Sequence, residues 1–321
     1  MSGRPALRVG TRGSALALWQ TERIRQLLAG AGHPTERIEI RTTGDMVQDV
    51  PLARIGSAAL FTRQIDEAML EGRIDLAVHS LKDLPTVLPE GLALAAVGER
   101  EDPTDALVGR GPVRWKELPM GATVATSSLR RKAQLLHARP DLNVVDVRGN
   151  VDTRLRKLEA SSDWSAILLA AAGLLRLGLG HRIGERLPAE VMLPAPGQGA
   201  LAVTARADDA RAIEVARSAV HHRPSAVAVR AERAFLRRLE GGCQVPVAAA
   251  AALDGDTLRL HGRVIGLDGG RMVEGSEAGR VRAEADADRI GESLAQQLLA
   301  RGAEEILSEI RTRAAPSVSE P

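Results

Sequence analysis

The chain has 321 residues, of which 44% are apolar and 26% are charged, as in ordinary globular proteins. This length favours two or three domains, because a single hydrophobic core rarely grows so large. The 43 basic and 41 acidic side chains leave a net charge of +2, which argues against binding of a polyanion through bulk charge. Three tryptophans, two phenylalanines and no tyrosine offer few surfaces for stacking nucleic-acid bases.

The N-terminus and the single cysteine bear on location. Met1–Pro5 leads directly into strand-like residues, without the apolar segment of a secretory signal. The longest uncharged apolar stretch, Ser165–Leu175, is far shorter than the ~20 residues of a membrane helix. One cysteine excludes an intramolecular disulfide and a thiolate-cluster metal site. We therefore expect a soluble, cytoplasmic protein.

The first part of the chain alternates strand and helix patterns. In order, the sequence predicts a strand at Leu7–Gly10, a helix at Ala15–Ala29, a strand at Ile38–Thr42, a helix at Leu60–Glu71, and strands at Ile74–Val78 and Leu92–Val97. This alternation is typical of an α/β unit with a largely parallel sheet.

A charged turn at Gly98–Thr104 separates this unit from a second one. Strands are predicted at Thr123–Thr126, Leu142–Val147 and Ala166–Ala170, each followed by a helix, and a strand at Ala200–Ala205 returns toward the first unit. Two α/β units joined in this way resemble the two-lobed, cleft-forming architecture of periplasmic binding proteins. Ligands of such sheets bind beyond the carboxyl ends of the strands.

The last third of the chain changes class. Three strands are predicted at Val245–Leu253, Thr257–Ile265 and Met272–Gly279, separated by Asp-Gly turn signals and followed by a helix with Ile290, Leu294 and Leu298 on one face. We therefore expect a small α+β domain with a three-stranded antiparallel sheet. The tail from Ala314 is rich in Pro, Ser and Glu, and we expect it to be disordered.

Three predicted strand-to-helix loops combine cations with small hydroxyl side chains. They are Thr11–Ser14, Thr126–Arg131 and Arg148–Asn150, the last with Arg154 on the following helix. Helix N-termini and arginines both favour anions, although each loop alone is also explained by helix caps and solvated charge. Because the three loops converge on one crevice, we expect a ligand with several negative groups. The pattern leaves phosphate and polycarboxylate ligands equally open.

Two further segments carry reactive side chains. Asp83, next to Lys82, is either part of a surface ion pair or a cleft carboxylate able to stabilise a cation and move protons. Cys243 follows two glycines, which favours an open loop over the inert burial usual for a lone cysteine. His221 and His222 lack further ligands at a suitable spacing, so we expect no metal site.

Seven motifs carry a resemblance to a known family. They read VGTRGSALALWQ (9–20), DLAVHSLKDLPT (75–86), EREDPTDAL (99–107), TSSLRRKAQL (126–135), VRGNVDTRLRKL (147–158), LPAPGQGAL (193–201) and LEGGCQVPV (239–247). In this order and spacing, the chain resembles the hydroxymethylbilane synthases, or porphobilinogen deaminases, over residues 7–310. The resemblance implies a transferase of tetrapyrrole (heme) biosynthesis, which condenses four porphobilinogen molecules head to tail with loss of ammonia and releases hydroxymethylbilane by hydrolysis.

The resemblance also implies domains and site residues. Domain 1 comprises 1–99 with 200–219, domain 2 comprises 100–199, domain 3 comprises 220–313, and 314–321 form the tail. A dipyrromethane cofactor is expected on Cys243 through a thioether, and Asp83 is expected to be the catalytic carboxylate. The cofactor-binding residues are expected to be Lys82, Ser127, Ser128, Arg130, Arg131 and Arg148, and the substrate-binding residues Arg12, Ser14, Arg154 and Arg176.

One segment departs from the family pattern. Many members read GGKGLF where this chain has GSAALF at 56–61, so that Ala58 replaces a lysine. We expect residues 44–59 to form a flexible lid in which Arg54 supplies the remaining positive charge.

The expected partner is the small molecule porphobilinogen, with no nucleic acid and no membrane. We further expect a monomer that hands its product to the next enzyme of the pathway. The main alternative is a non-catalytic, two-lobed anion-binding protein, which accounts for the arginines but leaves Asp83 and Cys243 unexplained. Nucleic-acid binding through Arg130 and Arg131 is a further alternative.

Overall fold

The computed structural model describes residues 5–42, 62–239 and 245–314. Within these residues, the strands form two five-stranded sheets and one three-stranded sheet. The expected fold class, two α/β units and a small α+β unit with a three-stranded antiparallel sheet, is therefore confirmed. Across these same residues, no helix is long and apolar enough to cross a membrane.

The first unit combines the start of the chain with a segment that returns after residue 200. Its elements are β1 (Leu7–Thr11), β2 (Thr35–Glu39), β3 (Leu76–Ser80), β4 (Leu92–Val97) and β10 (Leu201–Arg206), with helices α1 (Ala15–Gly30), α2 (Arg63–Leu70) and α6 (Ala210–Val220). The strand order is β2-β1-β3-β10-β4. Strand β1 is parallel to both its neighbours, whereas β10 is antiparallel to both of its own.

The second unit repeats this arrangement. Its strands are β5 (Asp105–Val108), β6 (Thr123–Ala125), β7 (Asn143–Val145), β8 (Trp164–Ala170) and β9 (Glu185–Arg186), and its helices are α3 (Leu129–Ala138), α4 (Val151–Ala160) and α5 (Ala171–Arg176). The order is β7-β6-β8-β5-β9, with β6 parallel to β7 and β8, and β5 antiparallel to β8 and β9.

Each sheet is largely parallel, as the alternation predicts, but contains one strand, β10 or β5, that is antiparallel to both of its neighbours. The reason lies in the two connections between the units. Strand β5 begins just after the chain crosses into the second unit, and β10 begins just after the chain returns to the first. Each connection thus inserts one antiparallel strand into the sheet that it reaches. Strands β5 and β9 were not predicted from the sequence, because they are only four and two residues long and carry no alternating pattern.

The third unit contains α7 (Arg223–Arg238), β11 (Val247–Asp254), β12 (Thr257–Ile265), β13 (Met272–Arg280), α8 (Asp286–Leu298) and α9 (Glu304–Ala314). Its strands form an antiparallel sheet in the order β11-β12-β13, at nearly the predicted bounds. Phe235 of α7 and Leu294 of α8 are fully buried in its core, together with Leu258 of β12. Burial of these apolar faces supplies most of the driving force for folding of this unit.

Strand β2 differs most from its predicted position, since it begins at Thr35 and not at Ile38. It pairs residue for residue with β1, from Leu7 opposite Thr35 to Thr11 opposite Glu39. This edge strand therefore begins three residues before Ile38, the apolar residue that the sequence pattern marks as its start. The predicted lid at 44–59, Cys243 and the predicted disordered tail beyond Ala314 lie outside the described residues.

Candidate functional site

The predicted carboxylate lies at the carboxyl end of β3. The strand ends at Ser80, and the chain then turns through the short 3₁₀ helix Leu81–Asp83. Leu81 is fully buried and anchors this turn, whereas the Asp83 side chain stays partly exposed. On the other side, the Gln20 amide of α1 donates a hydrogen bond of 2.8 Å to the Ser80 hydroxyl. The turn that carries Asp83 is thus fixed by its neighbours while its carboxylate remains accessible.

A second carboxylate, Asp105 at the start of β5, lies buried beneath two arginines. Arg130 Nη1 donates a 2.7 Å hydrogen bond to Asp105 Oδ2, and Arg131 donates two to Oδ1, at 2.9 and 2.7 Å. Burial alone would raise the pKa of Asp105, but the two guanidinium groups hold it far below its usual range. Because one negative charge faces two positive ones, Asp105, Arg130 and Arg131 together carry a net charge of about +1.

Gln198 connects the two α/β units at this point. Its Oε1 accepts a 3.1 Å hydrogen bond from Lys82 Nζ, and its Nε2 donates a 3.0 Å hydrogen bond to Asp105 Oδ1. The next residue, Gly199, has a φ of 88°, and a Cβ there would lie 2.3 Å from the Glu101 carbonyl oxygen. Only glycine therefore fits where the two connecting segments cross.

Charges from both units meet around Asp83. Burial and the nearby Arg131 lower the pKa of Lys82 to about 8, with Asp83 and Asp105 opposing this shift. Burial also lowers the pKa of Arg154 to about 10, where Arg131 adds to the effect and Asp83 again opposes it. Asp83 thus interacts electrostatically with Lys82 of the first unit and with Arg154 of the second.

The loops of the second unit hold their shape through hydroxyl groups. Ser127 Oγ donates to the Val147 carbonyl at 2.8 Å and accepts from the Val147 N–H at 3.1 Å. Ser128 is the N-cap of α3, and its hydroxyl accepts a hydrogen bond from the Arg131 N–H. These two serines therefore fix the loop that presents Arg130 and Arg131.

Arg148 has an incomplete set of hydrogen bonds. Its Nη1 atom is buried and finds no hydrogen-bond partner among the residues that the structure describes. A buried guanidinium N–H without an acceptor is costly, and a ligand carboxylate would supply one. Nearby, Arg154 Nε donates a 2.7 Å hydrogen bond to the carbonyl of Gly149, which orients Arg154 on the same loop. The donor set therefore fits an acidic ligand.

The remaining predicted residues lie around α1. Ser14 is the N-cap of this helix and accepts a hydrogen bond from the Ala17 N–H. Burial, together with the positive charge of Arg12, lowers the pKa of His79 to about 4. Arg176 is only 8% exposed, and its Cζ lies 5.8 Å from the centre of the Trp19 ring. Its Nη2 donates to the Gly199 carbonyl at 2.6 Å, and burial lowers the pKa of Arg176 to about 10.

Helix α7 of the third unit contacts the segments that carry the site. Arg233 donates hydrogen bonds to the carbonyls of Pro85 and Thr86, at 2.7 and 3.1 Å, directly after the Asp83 turn. The fully buried Glu232 forms a 2.6 Å ion pair with Arg100 and accepts a hydrogen bond of 2.7 Å from the Gly197 N–H. These contacts fasten both connecting segments and the Asp83 turn to one helix.

Several of these residues were missed in the sequence analysis. Asp105 and Gln198 lie within two of the seven motifs, so their presence there was a usable signal, but no role was assigned to them. Glu232 and Arg233 lie within α7, where nothing in the charge pattern distinguishes them from neighbouring solvated side chains. Only the packing of the three units reveals that they point inward.

The fold and the site together define a class of protein. It is an α/β protein with two mixed sheets, in which the partly exposed Asp83 at a strand end interacts electrostatically with Lys82 and Arg154. The chemistry of such a site suits ligands with several acidic groups. Within the described residues, no group of three or more His, Cys, Asp or Glu side chains is placed to hold a metal ion.

Comparisons with known proteins give the family. The model "Porphobilinogen deaminase, dipyromethane cofactor binding domain" matches residues 7–214, and the model of the porphobilinogen deaminase C-terminal domain matches residues 226–300. The porphobilinogen deaminase of Moorella thermoacetica is 51% identical over 309 residues, which are 96% of this chain and 97% of that protein. That of Desulforudis audaxviator is 52% identical over 312 residues, 95% of this chain and 98% of that protein. The chain belongs to the porphobilinogen deaminase family.

Family membership confirms the resemblance found in the sequence. It also confirms the expected enzyme class, a transferase of tetrapyrrole biosynthesis with the hydroxymethylbilane synthase function, and the expected dipyrromethane cofactor. Among solved structures, the methionine-binding protein MetQ aligns with 67% of this chain and 89% of its own length, with a TM-score of 0.45 and 14% identity.

Proposed function

We propose that Asp83 is the catalytic carboxylate with which this chain condenses four porphobilinogen molecules head to tail and releases hydroxymethylbilane. The observation that carries the proposal is the position of Asp83, partly exposed at a strand end and coupled to Lys82 and Arg154. Loss of ammonia from porphobilinogen leaves a cation spread over the pyrrole ring. A fixed carboxylate stabilises that cation and accepts the proton released when the next bond forms.

The cofactor-binding residues are proposed to be the cations and hydroxyl groups in the segments that follow β3, β6 and β7. Dipyrromethane, when bound, supplies the free pyrrole carbon to which the first substrate unit is joined. Its acidic side chains would be held by Lys82, Ser127, Ser128, Arg130, Arg131 and Arg148. The buried, unpartnered Nη1 of Arg148 supports this assignment, because it lacks the acceptor that a carboxylate provides. Cys243 is proposed to form the thioether, and the support for this is the Gly-Gly-Cys motif of the sequence.

Substrate carboxylates are proposed to bind Arg12, Ser14, Arg154 and Arg176. Each porphobilinogen carries an acetate and a propionate, so every added unit brings two new negative groups into the cleft. Arg154 and Arg176 are largely buried, and a desolvated arginine binds a carboxylate more strongly than an exposed one does. The two residues lie on different helices, α4 and α5, which allows them to contact successive units of the growing chain.

The domain bounds are proposed as predicted, namely 1–99 with 200–219, 100–199 and 220–313. The distribution of strands among the three sheets supports them. A cytoplasmic location, a monomeric state and hand-over of the product to the next enzyme stay predictions of the sequence analysis. So does the role of Arg54 in a lid over the site.

Intact mass spectrometry tests the proposal. The purified parent chain should carry the excess mass of two linked pyrroles, and the Cys243→Ser variant should lack it. After brief incubation with porphobilinogen, the parent should show a series of species that increase by one pyrrole unit at a time. Ser162→Ala, a substitution in an exposed turn before β8, serves as the matched control and should behave as the parent does.

Two outcomes would refute parts of the proposal. If the parent binds porphobilinogen without consuming it, the two-lobed anion-binding protein is the better description. If the Cys243→Ser variant keeps the added mass, the cofactor is attached elsewhere.

A further inference from the structure

Helix α3 joins the site to the third unit. Its first turn carries Arg130 and Arg131, and the Nδ1 of His137 in its last turn lies 2.7 Å from the Gly269 carbonyl oxygen. Gly269, in the turn between β12 and β13, has a φ of 76°, and a Cβ there would lie 2.5 Å from the backbone nitrogen of His137. The β12–β13 hairpin therefore lies directly against the C-terminal end of the helix that presents the two arginines.

The side-chain amide of Gln134, in the middle of α3, both accepts and donates hydrogen bonds. Its Oε1 accepts a 2.9 Å hydrogen bond from the Leu193 N–H, and its Nε2 donates a 3.1 Å hydrogen bond to the Leu193 carbonyl. The same Nε2 lies 3.3 Å from the Arg130 carbonyl. Because Gln134 is only 1% exposed, each of these bonds is made away from water, where loss of a partner is most costly.

Arg263 of β12 reaches across from the third unit to this amide. Its Nη1 donates a 2.8 Å hydrogen bond to Gln134 Oε1, and its Nη2 lies 3.3 Å from the Glu190 carbonyl. Arg263 is 3% exposed and is oriented by an ion pair of 2.7 Å with Glu274, its cross-strand neighbour on β13. A buried arginine held on one side by Glu274 has little freedom, so it fixes the position of Gln134.

The Leu193 carbonyl completes the connection to the site. It accepts hydrogen bonds from Gln134 Nε2 and from Arg130 Nη1, the latter at 2.7 Å. Arg130 Nη1 also donates to Asp105. A continuous series of buried hydrogen bonds thus runs from β12 of the third unit to the arginine pair of the second.

We propose that Arg263 and Gln134 are positioning residues, which make the geometry of Arg130 and Arg131 depend on docking of the third unit. The unit that bears Cys243 would then also set the shape of the pocket that binds the acidic groups. In its consequence for carboxylate binding, this inference rests on the proposed function. The coupling between the third unit and helix α3 does not.

The first test measures that coupling without activity. Arg263→Met keeps the length and apolar part of the side chain but removes the donor to Gln134. We expect the backbone amides of residues 129–138 to exchange with solvent about tenfold faster in this variant, well below its unfolding temperature. Arg259→Met is the matched control, because Arg259 lies on the same strand but is exposed. Unchanged exchange in this helix, or an equal change in both variants, would overturn the proposal.

The second test measures the consequence for binding. Arg130 and Arg131 are proposed to hold the cofactor to whose free end the substrate is joined, so moving them should also displace the adjoining substrate site. We therefore expect Arg263→Met to raise the KM for porphobilinogen about tenfold and to change kcat by less than about twofold, because Asp83 is untouched. In a Gln134→Leu background, the same substitution should have no further effect on KM. A lowered melting temperature with an unchanged KM would show that the contact is merely structural and would overturn the proposal. A parent chain that does not consume porphobilinogen would refute the proposed function, while the exchange result would still decide the coupling.

Discussion

The two α/β units share one sheet arrangement but place their carboxylates in opposite surroundings. Asp105 of the second unit is fully buried, and its oxygens accept hydrogen bonds from Arg130, Arg131 and Gln198. Asp83 of the first unit stays partly exposed in the turn after β3. Both interact electrostatically with Lys82, yet of the two only Asp83 is partly exposed.

The difference distinguishes a structural carboxylate, Asp105, from the proposed catalytic one, Asp83. A carboxylate whose oxygens are all occupied by arginines acts as a counter-ion, because any change in its charge leaves two buried cations unbalanced. A carboxylate that faces the cleft can respond to a cation that forms next to it. The surroundings and not the residue type therefore decide the role, and the following predictions test this distinction.

The largest effect is expected for Asp83→Asn. This substitution keeps the shape of the side chain but removes its charge, so we expect kcat with porphobilinogen to fall by about 10³-fold, as for other groups that stabilise transition-state charge. The free energy of unfolding should change by less than about 1 kcal/mol, because the side chain is partly exposed. Asp208→Asn, at a side chain that is 88% exposed, is the control. A kcat within tenfold of the parent would contradict the assigned role.

Asp105→Asn, in contrast, should act mainly by lowering the stability of the fold. Removing this charge leaves Arg130 and Arg131 buried without a counter-ion, so we expect a loss of about 3–5 kcal/mol of folding free energy. Denaturant unfolding measures the loss. Asp66→Asn is the matched control, since Asp66 is also buried but its pKa is raised by that burial, and a neutral amide is therefore tolerated there. An equal loss of folding free energy in Asp105→Asn and Asp66→Asn would show that Asp105 does not act as the counter-ion of the two arginines.

The two carboxylates also show what the sequence can predict. Asp83 is predictable because it follows a recognisable strand and lies in a distinctive motif. The counter-ion role of Asp105 is not, because β5 is too short to recognise and its partners are some 25 residues away in the chain. Local patterns thus identify strand ends and helix caps, whereas Gln198, Glu232 and Arg263 gain their roles from contacts between units.

The stability of the protein at acid pH should depend on His79, a buried histidine of the first unit. Burial and Arg12 lower the pKa of His79 to about 4, so the folded protein does not take up the proton that the unfolded chain binds below about pH 6.5. Stability should therefore fall as the pH drops from about 6.5 to 4, by roughly 3 kcal/mol in total. The His79→Gln variant should lack this part of the pH dependence.

Denaturant unfolding at several pH values measures this effect. His181→Gln is the control, because His181 is exposed and its removal should leave the acid limb of the parent unchanged. Parallel stability curves for His79→Gln and the parent between pH 6.5 and 4 would show that His79 is not the group responsible.

The smallest effect concerns Lys82, whose Nζ contacts Gln198 between the two units. Burial and Arg131 lower the pKa of Lys82 to about 8, so its positive charge is present below that pH and is lost above it. We expect kcat/KM of the parent to fall about fivefold above pH 8, as one charged contact to a carboxylate is lost. Lys82→Arg keeps its charge, so the ratio of the two kcat/KM values should change with pH. Titration of the substrate is common to both enzymes and cancels in that ratio, and a ratio independent of pH between 7 and 9.5 would exclude Lys82 as the titrating group.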